Sequence, residues 1–115
     1  MTYQGSCHCG AVRYEVDLPT LDKAFACNCS ICRRAGWLLA FVDEDQFHLL
    51  AGADAQSDYQ FAKKHIHHTF CRTCGIHAYS AGEANGKRMV SINLRCLDGL
   101  DPTKLPVEWF DGASL

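Results

Sequence analysis

The sequence predicts a single, mostly β domain held together by metal. Three observations carry that prediction. The chain has 115 residues, the length of one domain. Short runs of alternating apolar and polar residues are separated by Gly, Pro and Asn, and no stretch of ten or more keeps a helical period. Eight cysteines fall mainly into closely spaced groups, C-x-C, C-x-C-x-x-C and C-x-x-C, which are chelating intervals.

The elements follow in chain order. "VRYEV" sets Val12, Tyr14 and Val16 against Arg13 and Glu15 as a half-buried strand that Pro19 ends. "SICRRAG" offers one helical turn, with Ser30 as its cap and Gly36 as its stop. "LAFV", "QFHLL" and "DYQFA" read as strands. "HIHHTF" places Ile66 opposite His65 and His67 by the period of two. "IHAYS" and "MVSINL" flank "AGEANGKR", whose Asn85–Gly86 pair marks a hairpin. "LDPTKL" offers a second turn, and "VEWF" closes the chain as a strand.

Composition narrows the function classes. Apolar residues make up 48% and charged residues 21%, an ordinary globular balance that excludes long disordered segments. The longest uncharged apolar run, "WLLAFV", is too short to cross a bilayer, and "MTYQGSCHCG" shows no signal peptide. The expectation is a soluble, cytoplasmic protein, in which clustered cysteines mean metal rather than disulfides. Seven thiolates would take seven charges from the formal net −2 and two zinc ions would return four, leaving −5. A holo-protein of that sign is not expected to bind nucleic acid; Arg33–Arg34 and Lys63–Lys64 are the local exceptions.

"CHCG" supplies Cys7 and Cys9, expected to share one side of a strand, and "FCRTCG" supplies Cys71 and Cys74. Gly10 and Gly75 follow each pair and permit the left-handed conformation that ends a turn over an ion. Two such pairs compose a closed zinc site of four cysteines with no position left for substrate, and so a structural one. "FACNCSICRRAG" is different. Cys27 and Cys29 are expected on one strand face, with Cys32 returning from the next turn to complete a tripod. Three protein ligands and one vacancy are the pattern of catalytic zinc, and three thiolates suit exchange with a soft ligand such as a small thiol, which the ion would hold as thiolate. Other arrangements fit the same residues: Cys96, a histidine or an acidic side chain in the fourth place, a redox centre, or plain burial. The ligand count favours the open site.

Further residues carry weaker expectations. His65, His67 and His68 read as a solvent face rather than acid–base groups. His77 sits beside the Cys71–Cys74 turn and suits a thiolate hydrogen bond, a proton shuttle or a purely structural place. Arg33 or Arg34 matches a substrate carboxylate as well as it matches solvent. Trp37 and Phe41 read as core, although an aromatic near an open zinc also makes a pocket wall. Cys96 reads as a small buried apolar residue.

Taken together, "GSCHCGAVRYEV", "CNCSICRRAG", "FCRTCGIHAY" and "LDGLDP…VEWFDG" resemble the glutathione-dependent formaldehyde-activating enzyme family, which also contains centromere protein V. The resemblance runs from Gly5 to Gly112. It implies coiled, antiparallel β-sheets held by a structural zinc on Cys7, Cys9, Cys71 and Cys74, with a catalytic zinc beside it on Cys27, Cys29 and Cys32. The implied reaction adds glutathione to formaldehyde to give S-(hydroxymethyl)glutathione, a carbon–sulfur lyase reaction run in reverse. A non-catalytic, zinc-stabilised protein-binding module is the alternative that the family's breadth implies.

Overall fold

The computed structural model describes residues 1–61, 66–84 and 86–114. Its strands are β1 (Thr2–Ser6), β2 (Arg13–Asp17), β3 (Ala24–Cys27), β4 (Leu39–Asp43), β5 (Phe47–Ala51), β6 (Gln56–Tyr59), β7 (Ile66–Cys71), β8 (Tyr79–Ala84), β9 (Lys87–Asn93) and β10 (Val107–Phe110), with one short helix, α1 (Ser30–Ala35). They form a three-stranded sheet, β1-β2-β5, and a seven-stranded sheet, β10-β3-β4-β9-β8-β7-β6. The mostly β expectation holds. Among the described residues the strand pairs are antiparallel except one: β10 runs parallel to β3, with Phe110 opposite Cys27.

Local chemistry explains the elements. In β2, Tyr14 and Val16 are buried while Arg13 and Asp17 are exposed, the alternation of a strand with one face on the core. Residues 44–46 form a single 3-10 turn closed by a capping box between Asp43 and Gln46. Asp101 caps the turn at 102–104, where Pro102 supplies a pre-set φ and no unpaired N–H. The β8–β9 hairpin sets Ala84 opposite Lys87. Gly86 takes φ +78° in its turn, while Asn85 lies outside the described residues, as do Lys63, Lys64 and His65.

The core fuses the two sheets with the cysteines. Val12, Tyr14, Val16, Ile92 and Leu94 are almost wholly buried in one cluster that also contains Cys7 and Cys71. Burial of each large side chain contributes about 1.5–3 kcal/mol. Tyr14 and Phe47 from the smaller sheet meet Tyr79 from the larger one, with ring centroids 5.3 Å (Tyr14–Phe47), 6.1 Å (Tyr14–Tyr79) and 4.5 Å (Phe47–Tyr79) apart.

Several expectations are corrected here. Cys7 and Cys9 lie in the turn after β1 rather than in a strand, because the Gly10 amide donates back to the Cys7 carbonyl and bends the chain. β3 ends at Cys27, so Cys29 is not on a strand face; it stands as the N-cap residue of α1 with no side-chain capping bond, in the place expected of Ser30. Gly36 does end the helix, at φ +69°. The strand expected in "IHAYS" begins only at Tyr79. Phe41 is half-exposed rather than core, and His68 is buried rather than on a solvent face.

Candidate metal centres

Seven cysteines gather into two sulfur clusters. Cys7, Cys9, Cys71 and Cys74 form one and Cys27, Cys29 and Cys32 the other, with the sulfurs of each set within 4.8 Å of one another. The distances discriminate between bond types. Cys7 Sγ lies 3.7 Å from Cys9 Sγ, and Cys9 Sγ lies 3.6 Å from Cys71 Sγ, far beyond a disulfide bond of about 2.05 Å. Four sulfurs about 2.3 Å from a tetrahedral zinc stand about 3.8 Å apart. All eight cysteines are free. The donor set and its spacing therefore fit a zinc ion.

Backbone amides prepare the four-sulfur cluster for negative charge. The Val12 amide donates to Cys7 Sγ at 3.3 Å. Backbone N–H groups of Cys9 and then Ile76 hold Cys74 down to about 6. Those of Cys74 and Thr73 lower Cys71. Such amides face the sulfurs because Gly75, at φ +79°, reverses the chain directly after Cys74. Cys96 stands nearby with its thiol directed to the His77 carbonyl, and burial pushes it up to about 11. It is half-buried and belongs to neither sulfur set.

The three-sulfur cluster is assembled from the end of β3 and the first turn of α1. The Cys29 amide donates to Cys27 Sγ at 3.4 Å. Burial pushes Cys32 up to about 12, so a trio of thiolates is unfavourable there without a cation. The indole Nε1 of Trp37 is buried near the trio with no hydrogen-bond partner among the described residues. The C-terminal loop covers one flank. Asn28 donates to Asp111 Oδ1 at 2.9 Å and accepts from the Ala113 amide at 2.9 Å, seating Gly112 against Cys27. Among the described residues no fourth ligand atom joins the set.

The sequence model of the glutathione-dependent formaldehyde-activating enzyme family matches residues 2–111. The chain belongs to that family. A Halomonas elongata protein named after the same family is 38% identical over 64 residues, which is 52% of this chain and 41% of that protein. The match thus spans about two fifths of that relative's length. A crystal structure of a Rhodobacter sphaeroides protein superposes with a TM-score of 0.81 at 35% identity, covering 91% of this chain and 99% of that one.

Two concavities flank the trio. One, of about 620 Å³, is lined by all three cysteines, by Phe25, Phe41 and Phe110 among other apolar groups, and by His68, Ser80 and Ser91. The other, of about 610 Å³, lies between α1 and the Gly75–His77 turn and carries Ser30, Arg34, His77 and Asn93. They share Ile31, Trp37 and Phe61. Arg34 reaches the second cleft while its guanidinium donates to the Ser30 carbonyl at 2.8 Å; Arg33 is exposed and lines neither. His77 donates from Nδ1 to the Thr69 carbonyl at 3.1 Å, not to a thiolate, and burial lowers its pKa. His68, Ser80, Ser91, Asn28 and Gly112 were not legible as site residues. His68 alone had a signal, since the period of two that separates Ile66 from His67 puts His68 on the Ile66 side.

Proposed function

We propose that the chain adds a small thiol of the glutathione type to formaldehyde or a related electrophile, with Cys27, Cys29 and Cys32 holding a catalytic zinc and Cys7, Cys9, Cys71 and Cys74 holding a structural one. Membership of the family favours the reaction class. The observation that carries the assignment to this site is the inequality of the two sulfur sets: four against three, with the three-sulfur set lining a cavity of about 620 Å³.

A zinc ion bound by the trio supplies the positive charge that keeps a fourth, incoming sulfur ionised at neutral pH. The chain's own residues do the rest. The Cys29 amide supports negative charge on Cys27. Arg34, in the cleft that shares Ile31, Trp37 and Phe61 with the trio's cavity, suits a carboxylate of the thiol substrate, since guanidinium pairs with carboxylate in a two-point fork. The Gly112 loop packs against Cys27 and Cys29 and lines the same cavity.

The test is product NMR of glutathione and formaldehyde with the zinc-loaded protein. Faster appearance of S-(hydroxymethyl)glutathione than in the protein-free mixture supports the reading, and equal rates remove it. A second reading, a zinc-stabilised protein-binding module, draws on β10, where Trp109 is 74% and Phe110 54% exposed. Metal analysis giving one tightly held zinc per chain instead of two favours that module.

A further inference from the structure

The cavity beside the trio is far larger and more apolar than formaldehyde requires. Phe25, Leu39, Phe41, Phe110, Trp37 and Phe61 line it. Its volume of about 620 Å³ lies within the range of sites for whole drug-sized molecules. Among the described lining residues there is no lysine or arginine, and the carboxylate present, Glu108, pairs with Lys23 at 3.0 Å. The carboxylates of a glutathione-like thiol therefore find no partner here; Arg34 offers one in the adjoining cleft.

One polar row crosses this apolar wall. Ser80 of β8 stands directly opposite Ser91 of β9, and Ser91 opposite Phe41 of β4. The β7–β8 register pairs His67 with Ala81, and its next step sets His68 opposite Ser80. Residues opposite one another in an antiparallel pair point to the same face, so His68, Ser80 and Ser91 form a row, and all three line the cavity. His68 is fixed in one orientation. Its Nδ1 lies 2.9 Å from the Tyr59 carbonyl, which only accepts, so Nδ1 carries the proton and Nε2 keeps its lone pair when the ring is neutral. Phe61 stacks on the ring at 5.2 Å, and Trp37 lies parallel to it at 6.5 Å. Among the described residues Nε2 has no hydrogen-bond partner.

The geometry points to a carbonyl subsite: the cavity takes an aldehyde with a bulky apolar substituent, and His68 carries the proton of the addition. This rests on the thiol-addition reading above and names its electrophile. The thiol sulfur forms a bond to the carbonyl carbon while the C=O π pair moves to oxygen. The proton that leaves sulfur passes to His68 Nε2 and from there to the new alkoxide, which Ser80 and Ser91 face. Thiol plus aldehyde gives a hemithioacetal, with no change of oxidation state and no further reactant.

The experiment uses the zinc-loaded protein, glutathione, formaldehyde and the linear aldehydes propanal to heptanal, whose carbonyls are of similar intrinsic reactivity. The acceleration over the protein-free rate is expected to rise about fourfold per methylene from propanal upward, the factor that ~0.8 kcal/mol of burial gives. Acceleration of formaldehyde with a flat response across the longer aldehydes overturns the subsite and leaves the proposed function standing. His68→Gln is expected to lower kcat about 100-fold with KM for heptanal little changed, and added imidazole to restore part of the rate. An unaltered kcat, or no rescue in a variant that still loads two zinc ions, overturns the role of His68. Should no aldehyde react, the proposed function falls, and the unreactive alcohols propanol to heptanol still decide the cavity. Chain-length-dependent shifts of the Trp37 indole N–H resonance support it, and their absence overturns it.

Discussion

Gly112 lies so close to Cys27 that a Cβ at position 112 would stand 2.6 Å from Cys27 Sγ and 3.1 Å from Cys29 Cβ. Sulfur and carbon do not approach that closely, so a side chain there must displace the trio or the loop. On the proposed assignment, Gly112→Ala is expected to weaken metal binding by the trio about tenfold, the size of a modest overpacking penalty. The four-sulfur metal should remain. Competition with a chromophoric chelator reads both affinities; equal behaviour of variant and parent would contradict the packing argument.

The two sulfur sets predict unequal consequences of mutation. Cys71 is fully buried in the main core beside Cys7, whereas Cys32 is only partly buried, in a helix with no fully buried residue. On the proposed assignment, Cys71→Ser should abolish cooperative folding or lower Tm by more than about 15 °C, because a zinc held there would supply folding free energy directly. Cys32→Ser should release one metal and shift Tm by less than about 5 °C. Circular dichroism melts with metal analysis separate the cases. Equal losses in both variants would show that the trio also holds the fold.

How much of this was legible beforehand depended on what each segment exposes. β2 and β9 could be read because one face of each is core and the other is not. β1, "TYQGS", was not, since its Gly5 is chosen by close packing rather than by alternation: a Cβ there would lie 2.5 Å from Tyr14 Cζ. β3, "AFAC", is four residues whose pairing with β10 depends on a segment eighty positions away. Cysteine spacing announced the sulfur groups but not that Cys9 and Cys29 leave the strands. Those bends are set by amide-to-sulfur and amide-to-carbonyl bonds invisible in a residue pattern. Asn28 and Gly112 had no local signal at all, because each is defined by the other's distant loop.

Tyr14 offers a stability test. Its ring is fully buried, and among the described residues its hydroxyl has no hydrogen-bond partner. Burial is the first cause that raises its pKa, followed by the charges of Cys96 and Asp98. An unpaired buried hydroxyl costs about 1–3 kcal/mol, and removing it keeps the contacts with Phe47 and Tyr79. Tyr14→Phe is therefore expected to stabilise the fold by about 1 kcal/mol, or about 5 °C in Tm. A destabilised variant would mean that the hydroxyl has a partner such as a buried water.

Arg34 should separate binding from chemistry. It lines the cleft beside the trio, and its guanidinium donates to the Ser30 carbonyl. Arg34→Ala is expected to raise KM for glutathione about tenfold, with kcat nearly unchanged, because the pairing with a carboxylate is made equally in ground and transition states. Cysteamine, which has no carboxylate, should show no difference between variant and parent. A drop in kcat for both thiols would place Arg34 in the structure of α1 rather than in recognition.

His77 sets an acid limit of its own. Burial, the largest cause, pulls its pKa below the ordinary 6.5, and the neighbouring His68 adds to that, against the Thr69 carbonyl, which raises it. The folded state thus binds this proton less readily than the unfolded chain. Stability from His77 is complete above about 6.5 and is lost as pH falls from there through the folded pKa. Denaturant titrations of the zinc-loaded protein between pH 7.5 and 5.5 should show stability declining with acid, and His77→Gln should flatten that decline. Zinc content measured at each pH separates this slope from metal loss, since thiolate protonation would release zinc in parent and variant alike. A decline of the same steepness in His77→Gln would assign the acid sensitivity to the sulfur clusters instead.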